Sequence, residues 1–285
     1  MKKGTATNPA RAEPSAMNFR PPLLAAVLGL LAIFTVAAAE PAPVTAGDLA
    51  AQLSARQQDG AALVRVKLEV KDTAGAVKTA LQLQIKSRAT RAGTDLVYQV
   101  LWPKERKGEA VLLRKSGSRA ATGTLFTPPD TTRPLDAAQM KDALFGSDLA
   151  YEDVIENFFA WEQQTLGGTE TVDRVPCQIL ESKPGKGERS AYASVRTWVD
   201  LRRLVPLRVE KYGTTGKLVR RIDTTRVAND DNGRPIPANL AIRGPRGDTV
   251  TELDGSKIRH GVTFTDDDFS PEKLKDAPAP RATPE

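Results

Sequence analysis

Val64-Arg65-Val66-Lys67-Leu68-Glu69-Val70-Lys71 decides the fold. Every second residue is apolar and each one between is charged. Side chains alternate faces along a strand, so this segment has one dry face and one wet face. The next run repeats the pattern. Val77, Thr79, Leu81, Leu83 and Ile85 fall on one side, and Lys78, Gln82, Gln84, Lys86 and Arg88 on the other. Asp72 to Gly75 reads as the turn of an antiparallel hairpin. Upstream, Leu49 and Leu53 recur at a one-face helical spacing behind Thr45 or Asp48 as cap, which predicts a short opening helix.

Downstream, Leu96 to Trp102 and Ala110 to Leu113 continue the meander, and 118–127 predicts a further strand before Pro128-Pro129 breaks the ladder. Residues 135–159 differ. Val154 and Phe158 share a helical face, as do Ile155 and Phe159, and one or two short helices are expected around Phe145-Gly146-Ser147-Asp148. Strands then resume at 161–166, 177–182, 191–199, 204–212, 217–227, 239–243 and 249–253. About ten or eleven strands with few helices predict a mainly β fold, a large, strongly curved antiparallel sheet or barrel. A sheet of that size curls, and its dry concave face needs a filler: its own side chains, helices or a ligand.

The first 39 residues read as an N-terminal extension and an export signal. Arg20 precedes the apolar run Leu23 to Val36, which ends in Ala37-Ala38-Ala39. The run is shorter than the roughly 20 residues of a spanning helix, and Met17 is an alternative start. Cleavage near Ala39 predicts a soluble periplasmic protein. It removes Lys2, Lys3, Arg11 and Arg20 against Glu13, leaving half of the formal +6 charge. Glu40, not a cysteine, follows the site, so no N-terminal lipid tether is expected. Residues 40–45 read as a linker, 46–274 as a single β domain and 275–285 as a disordered tail.

Charges of both signs are interspersed, which excludes a nucleic-acid footprint. The single Cys177 lies in an apolar run and is expected to be a buried, inert thiol. The single His260, in a surface turn, leaves no catalytic triad, and one histidine with one cysteine make no zinc site. Asp266-Asp267-Asp268 lacks the spaced ligands of a calcium loop and reads as a solvated turn. No enzyme activity, metal or cofactor is expected.

The C-terminal half carries a family resemblance. Trp198-Val199-Asp200, then Leu204-Val205-Pro206-Leu207-Arg208-Val209-Glu210-Lys211-Tyr212 and Gly216-Lys217-Leu218, are followed by Pro235-Ile236-Pro237, Thr249-Val250-Thr251-Glu252 and Asp268-Phe269-Ser270 with Leu274. Phe145 to Asp153 fits the same series. In order and spacing this resembles the outer-membrane lipoprotein-sorting, LolA-like proteins. The resemblance implies an incomplete β-barrel covered by a helical lid over an apolar cavity for acyl chains.

The function expected is therefore a soluble monomeric carrier of acylated lipoproteins or lipids toward the outer membrane. The alternative is an accessory or sensor module that binds a lipid-exporting inner-membrane transporter or mislocalised lipoproteins. Candidate cavity walls are Val66, Leu68, Val70, Leu81, Leu83, Ile85, Leu96, Tyr98, Val100, Trp102, Leu112 and Trp198. Candidate lid residues are Leu144, Phe145, Val154, Ile155, Phe158 and Phe159. For any one of these the plain alternative is ordinary core packing.

Overall fold

The opening alternation becomes strand β1 (Ala61–Asp72), paired antiparallel with β2 (Val77–Thr90) so that Val64, Val66 and Leu68 stand directly opposite Ile85, Leu83 and Leu81. Such facing apolar pairs are the unit that stabilises a sheet. The computed structural model describes residues 44–58 and 60–276, all within one compact unit. The proposed signal, most of the linker and residues 277–285 lie outside the described residues.

From β2 the meander runs through β3 (Gly93–Trp102), β4 (Ala110–Lys115), β5 (Thr122–Thr127) and β6 (Thr131–Leu135). On the other flank of β1 lies β13 (Thr249–His260). Beyond it come β12 (Pro235–Arg243), β11 (Leu218–Asn229), β10 (Val205–Tyr212), β9 (Ser194–Asp200), β8 (Val175–Lys183) and β7 (Gln163–Val172). Together they form one 13-stranded antiparallel sheet, ordered β6-β5-β4-β3-β2-β1-β13-β12-β11-β10-β9-β8-β7. The sheet is open, with β6 and β7 as its edges.

The strand count exceeds expectation mainly because of β6. It contains Pro134, and an edge strand tolerates a residue with no N–H to donate. β13 also runs further than expected. His260 ends that strand instead of sitting in a turn, and its ring bonds to Asp231.

Two bulges overturn the simple alternation. Val70 faces Thr79, yet Lys71 faces Val77, so the extra residue Lys78 turns Val77 to the wet face. Likewise Leu83 faces Val100 but Gln82 faces Trp102, so Leu101 reverses the phase of β3 and leaves Trp102 half exposed on the outside. One inserted residue swaps every later side chain to the other face.

Helix α1 (Ala46–Gln57) forms as expected, with the Thr45 hydroxyl accepting from the Asp48 amide at 3.1 Å. The helix expected over 151–159 does not form as one piece. Helix α2 covers only Tyr151–Ile155, Glu156 is extended, and a separate 3-10 turn holds Phe158–Ala160. The 137–144 stretch is likewise reduced to 3-10 turns at Gln139–Lys141 and Leu144–Gly146.

The C-terminal segment covers the outer face of the first half of the sheet. Phe269 and Leu274 pack on Val97, Ala110, Leu112 and Phe126. Lys86 pairs with Asp268 at 2.9 Å and Arg88 with Asp266 at 2.7 Å. The aspartate run is therefore a 3-10 turn that clips this segment down, not a free solvated turn.

Candidate functional site: a lid across the concave face

The two edges of the sheet are neighbours in sequence, because residues 136–162 connect β6 to β7. That connection crosses the concave side and forms the lid. Its first stretch brings Met140, Leu144, Phe145 and Leu149 down on Leu68, Val70, Leu81, Leu83, Leu96 and Val100, with Val66 and Tyr98 at the margin. Val154 and Ile155 join the same cluster, and Ile85 lies in the same phase of β2 as Leu83. Phe158 and Phe159 go elsewhere, to a second concave cluster with Leu49 and Leu53 of α1, Leu180, Val195 and Val199. The first cluster is closed: Leu68 and Val100 are 0 % exposed and Leu144 is 1 %. The chain's own lid fills the concavity.

Three of the proposed wall residues are not on that face. Trp102 is turned out by the bulge just described. Leu112 pairs with Val97 on the outer face, under Phe269 and Leu274, while its neighbours Val111 and Leu113 point into the concavity. The run Ala110 to Leu113 is apolar on both sides because both sides are covered, so alternation carried no information there. Trp198 also faces outward, among Cys177, Ile179 and Leu207, with its indole N–H donated to Glu170 at 2.8 Å. Val195 and Val199, in the opposite phase of β9, are the inward residues. Cys177 is buried in the outer cluster, and burial pushes its thiol pKa up.

Between the two concave clusters lies a group of buried charges absent from the sequence-based candidates. The Asp153 side chain is fully enclosed. It meets Lys211 Nζ at 2.8 Å and Arg220 Nε at 2.6 Å, and it accepts from the Tyr192 hydroxyl at 2.6 Å and the Ala150 amide at 2.7 Å. The Arg220 contact is ionic: its Nε–H is not aligned for a hydrogen bond. Lys211 also stands over the Tyr192 and Phe158 rings, at 5.0 and 5.6 Å from their centroids. Burial works to raise the Asp153 pKa, but Lys211, Arg220 and the hydrogen bonds outweigh it and hold the carboxyl below its ordinary value.

Glu156, beside this group, goes the other way. Burial and the nearby Glu152 carboxylate push its pKa up to about 7, against the pull of Lys211, Ser190 and Lys115. One oxygen accepts from Ser190 at 2.9 Å and the other has no partner. The signal for this cluster was present in the sequence. Lys211 follows Val209 by two residues, so it occupies an apolar phase of β10, and Arg220 holds the same position relative to Ile222 in β11.

A second polar pin holds the lid to β13. Asp148 is buried and accepts from Thr249 and Thr251, both at 2.8 Å, while its amide donates to Thr251. Gly244 permits this approach, since a Cβ there would lie 2.9 Å from Asp148 Oδ1. On the far side Arg106 donates to the Phe145 carbonyl at 3.3 Å.

Among the described residues Asp230, Asp231 and His260 place one ligand atom each within 4.8 Å of one another. The aspartate oxygens are already engaged, Asp230 closing the β11–β12 turn and Asp231 tying it to the end of β13. Asp230 accepts from the Asn232 and Arg234 amides, and Asp231 from the His260 amide. No helix among the described residues is long and apolar enough to cross a membrane.

A family model described as "Uncharacterized protein" matches residues 93–276, more than half of the chain. The chain belongs to this family. No curated protein matches it by sequence. A DUF1329 family protein from Desulfovibrio piger is similar in structure at 20 % identity, with a TM-score of 0.72 over 81 % of this chain and 100 % of that one. A protein domain from Vibrio parahaemolyticus named for outer membrane lipoprotein sorting reaches 0.69 at 20 % identity, over 79 % and 97 %. A LolA superfamily protein from Nitrosomonas europaea reaches 0.64 at 19 % identity, over 80 % and 98 %. The fold of this family member is thus LolA-like: an open, curved β-sheet with a lid.

Proposed function

We propose that this chain is a monomeric periplasmic carrier that takes acyl chains of lipoproteins or lipids between the concave face and the lid. The observation that carries the reading is the lid's attachment. A continuous dry wall is covered by a single inter-edge segment built of short turns, held by side-chain pins instead of backbone ladders. Withdrawing an acyl chain into water costs about 0.8 kcal/mol for each CH₂, so a carrier must replace the membrane interior with protein. Here the lid side chains occupy the wall in the unloaded state, and cargo takes their place. The proposed wall is Val66, Leu68, Val70, Leu81, Leu83, Ile85, Leu96, Tyr98 and Val100, extended by Val111 and Leu113. The likeness to proteins named for lipoprotein sorting supports the reading. Mass spectrometry of the protein purified from its native envelope tests it. Bound lipid or acylated polypeptide is expected, and repeated recovery of bare protein would sink the proposal.

A further inference from the structure

Lys211, Arg220 and Tyr192 converge on one carboxylate, and the lid supplies it. Lys211 lies on β10 with Arg220 directly opposite it on β11, and Tyr192 stands in the β8–β9 loop. Of these four side chains only Asp153, on α2, belongs to the segment that crosses the concave face. Its neighbours Val154 and Ile155 pack into the first cluster, so the meeting point borders the dry wall. Lysine is rarely fully buried, yet Lys211 is 1 % exposed and Arg220 is 8 % exposed. Among the described residues Asp153 is the only carboxylate in ion-pair contact with either, so two enclosed cations share one anion. Arg220 Nε is also buried without an aligned acceptor. An unpaired buried donor is unfavourable and marks a place where an acceptor is expected.

Lifting the lid changes this balance. When α2 moves aside to admit cargo, Asp153 leaves with it, while Lys211 and Arg220 stay on the sheet without their counter-ion. An uncompensated charge in a dry interior is strongly unfavourable. Cargo that fills the space must therefore bring an anion of its own, which an acyl chain with an uncharged head does not. We infer that Lys211, Arg220 and Tyr192 form a seat for the anionic head of an amphiphile, a carboxylate or a phosphate, and that Asp153 occupies this seat in the unloaded protein. Arginine, lysine and a phenolic hydroxyl are suited to such a head, since charge-assisted hydrogen bonds are the strong ones. The inference rests on the carrier reading and adds to it the charge of the cargo's head.

The test is calorimetric titration of the full chain, as its host processes it, with three single-chain probes below their micelle concentrations. These are palmitate, 1-palmitoyl lysophosphatidic acid and the uncharged 1-monopalmitoylglycerol. The parent is expected to bind an anionic probe about tenfold more tightly than the uncharged one, and the better of the two anions tells carboxylate from phosphate. Lys211→Met and Arg220→Gln should each erase that preference. Tyr192→Phe, the mildest change, removes one donor and should narrow it about threefold. Asp153→Asn empties the seat of its resident charge, and should tighten the anionic probe about tenfold while the uncharged one gains less. Equal affinity of the parent for charged and uncharged probes would overturn the anion seat while leaving the carrier reading intact. So would an equal gain for all three probes in Asp153→Asn, which would mark a loosened lid only. Failure of the parent to bind any of the three would overturn the carrier reading itself.

Discussion

The two halves of the lid lie on the same concave face but are held by opposite physics. The stretch from Leu135 to Leu149 meets the first half of the sheet mainly through Met140, Leu144, Phe145 and Leu149, an apolar contact with no buried charge except Asp148 at its end. Helix α2 meets the second half through Asp153, locked to Lys211 and Arg220. Burial of apolar surface is non-directional and tolerates sliding. A buried ion cluster is directional, because removing any one member leaves the others uncompensated. One half of the lid is therefore adhesive and the other is registered.

The most severe way to break this contrast is Asp153→Ala, which strands two enclosed cations. It should cost about 3–5 kcal/mol, read from the denaturant midpoint. Leu144→Ala attacks the adhesive half and should cost about 3 kcal/mol. Like the ionic loss, this one should change little between pH 5 and 8.

Acid sharpens the comparison. Glu156 has a folded pKa near 7, above its ordinary value of 4.5. The stability it contributes is present below the unfolded pKa and lost as pH rises through 7. The fold should therefore gain on the order of 2–3 kcal/mol between pH 8 and pH 5, and Glu156→Gln should abolish that gain in thermal melts. Asp153 works in reverse: its contribution is present above the unfolded carboxylate value and lost only as pH falls through its lowered folded pKa. Tyr192→Phe is milder still, since Asp153 keeps its other three partners. About 1.5 kcal/mol of stability should be lost, again by denaturant titration. If Tyr192→Phe costs as much as Asp153→Ala, the ionic description of this half is wrong.

Where the sequence was legible, the reason is geometric. The β1–β2 hairpin could be read residue by residue because its inner face is apolar and its outer face charged along most of its length. The non-strand segment at 135–159 could be located because it departs from period two, and the family resemblance implied that it is the lid. Trp102 was misread because a bulge costs one residue and leaves no mark on hydropathy. Leu112 and Trp198 were misread because both faces of β4 and β9 are covered, so apolar residues stand on each. Asp153, Lys211 and Arg220 were not among the sequence-based candidates, because what pairs them is contact between segments far apart in the chain.

Sequence by itself determined a curved antiparallel sheet and the helical segment that interrupts its strands, since alternation is local and needs only neighbouring residues to agree. Only the tertiary structure decided what fills the concavity. The phase of each strand after a bulge, the C-terminal cover on the outer face and the meeting of Asp153 with Lys211 and Arg220, 58 and 67 residues downstream, all depend on contacts between segments remote in the chain. Hydrophobic pattern specifies that a face is dry, but it does not specify which distant side chains will dry it.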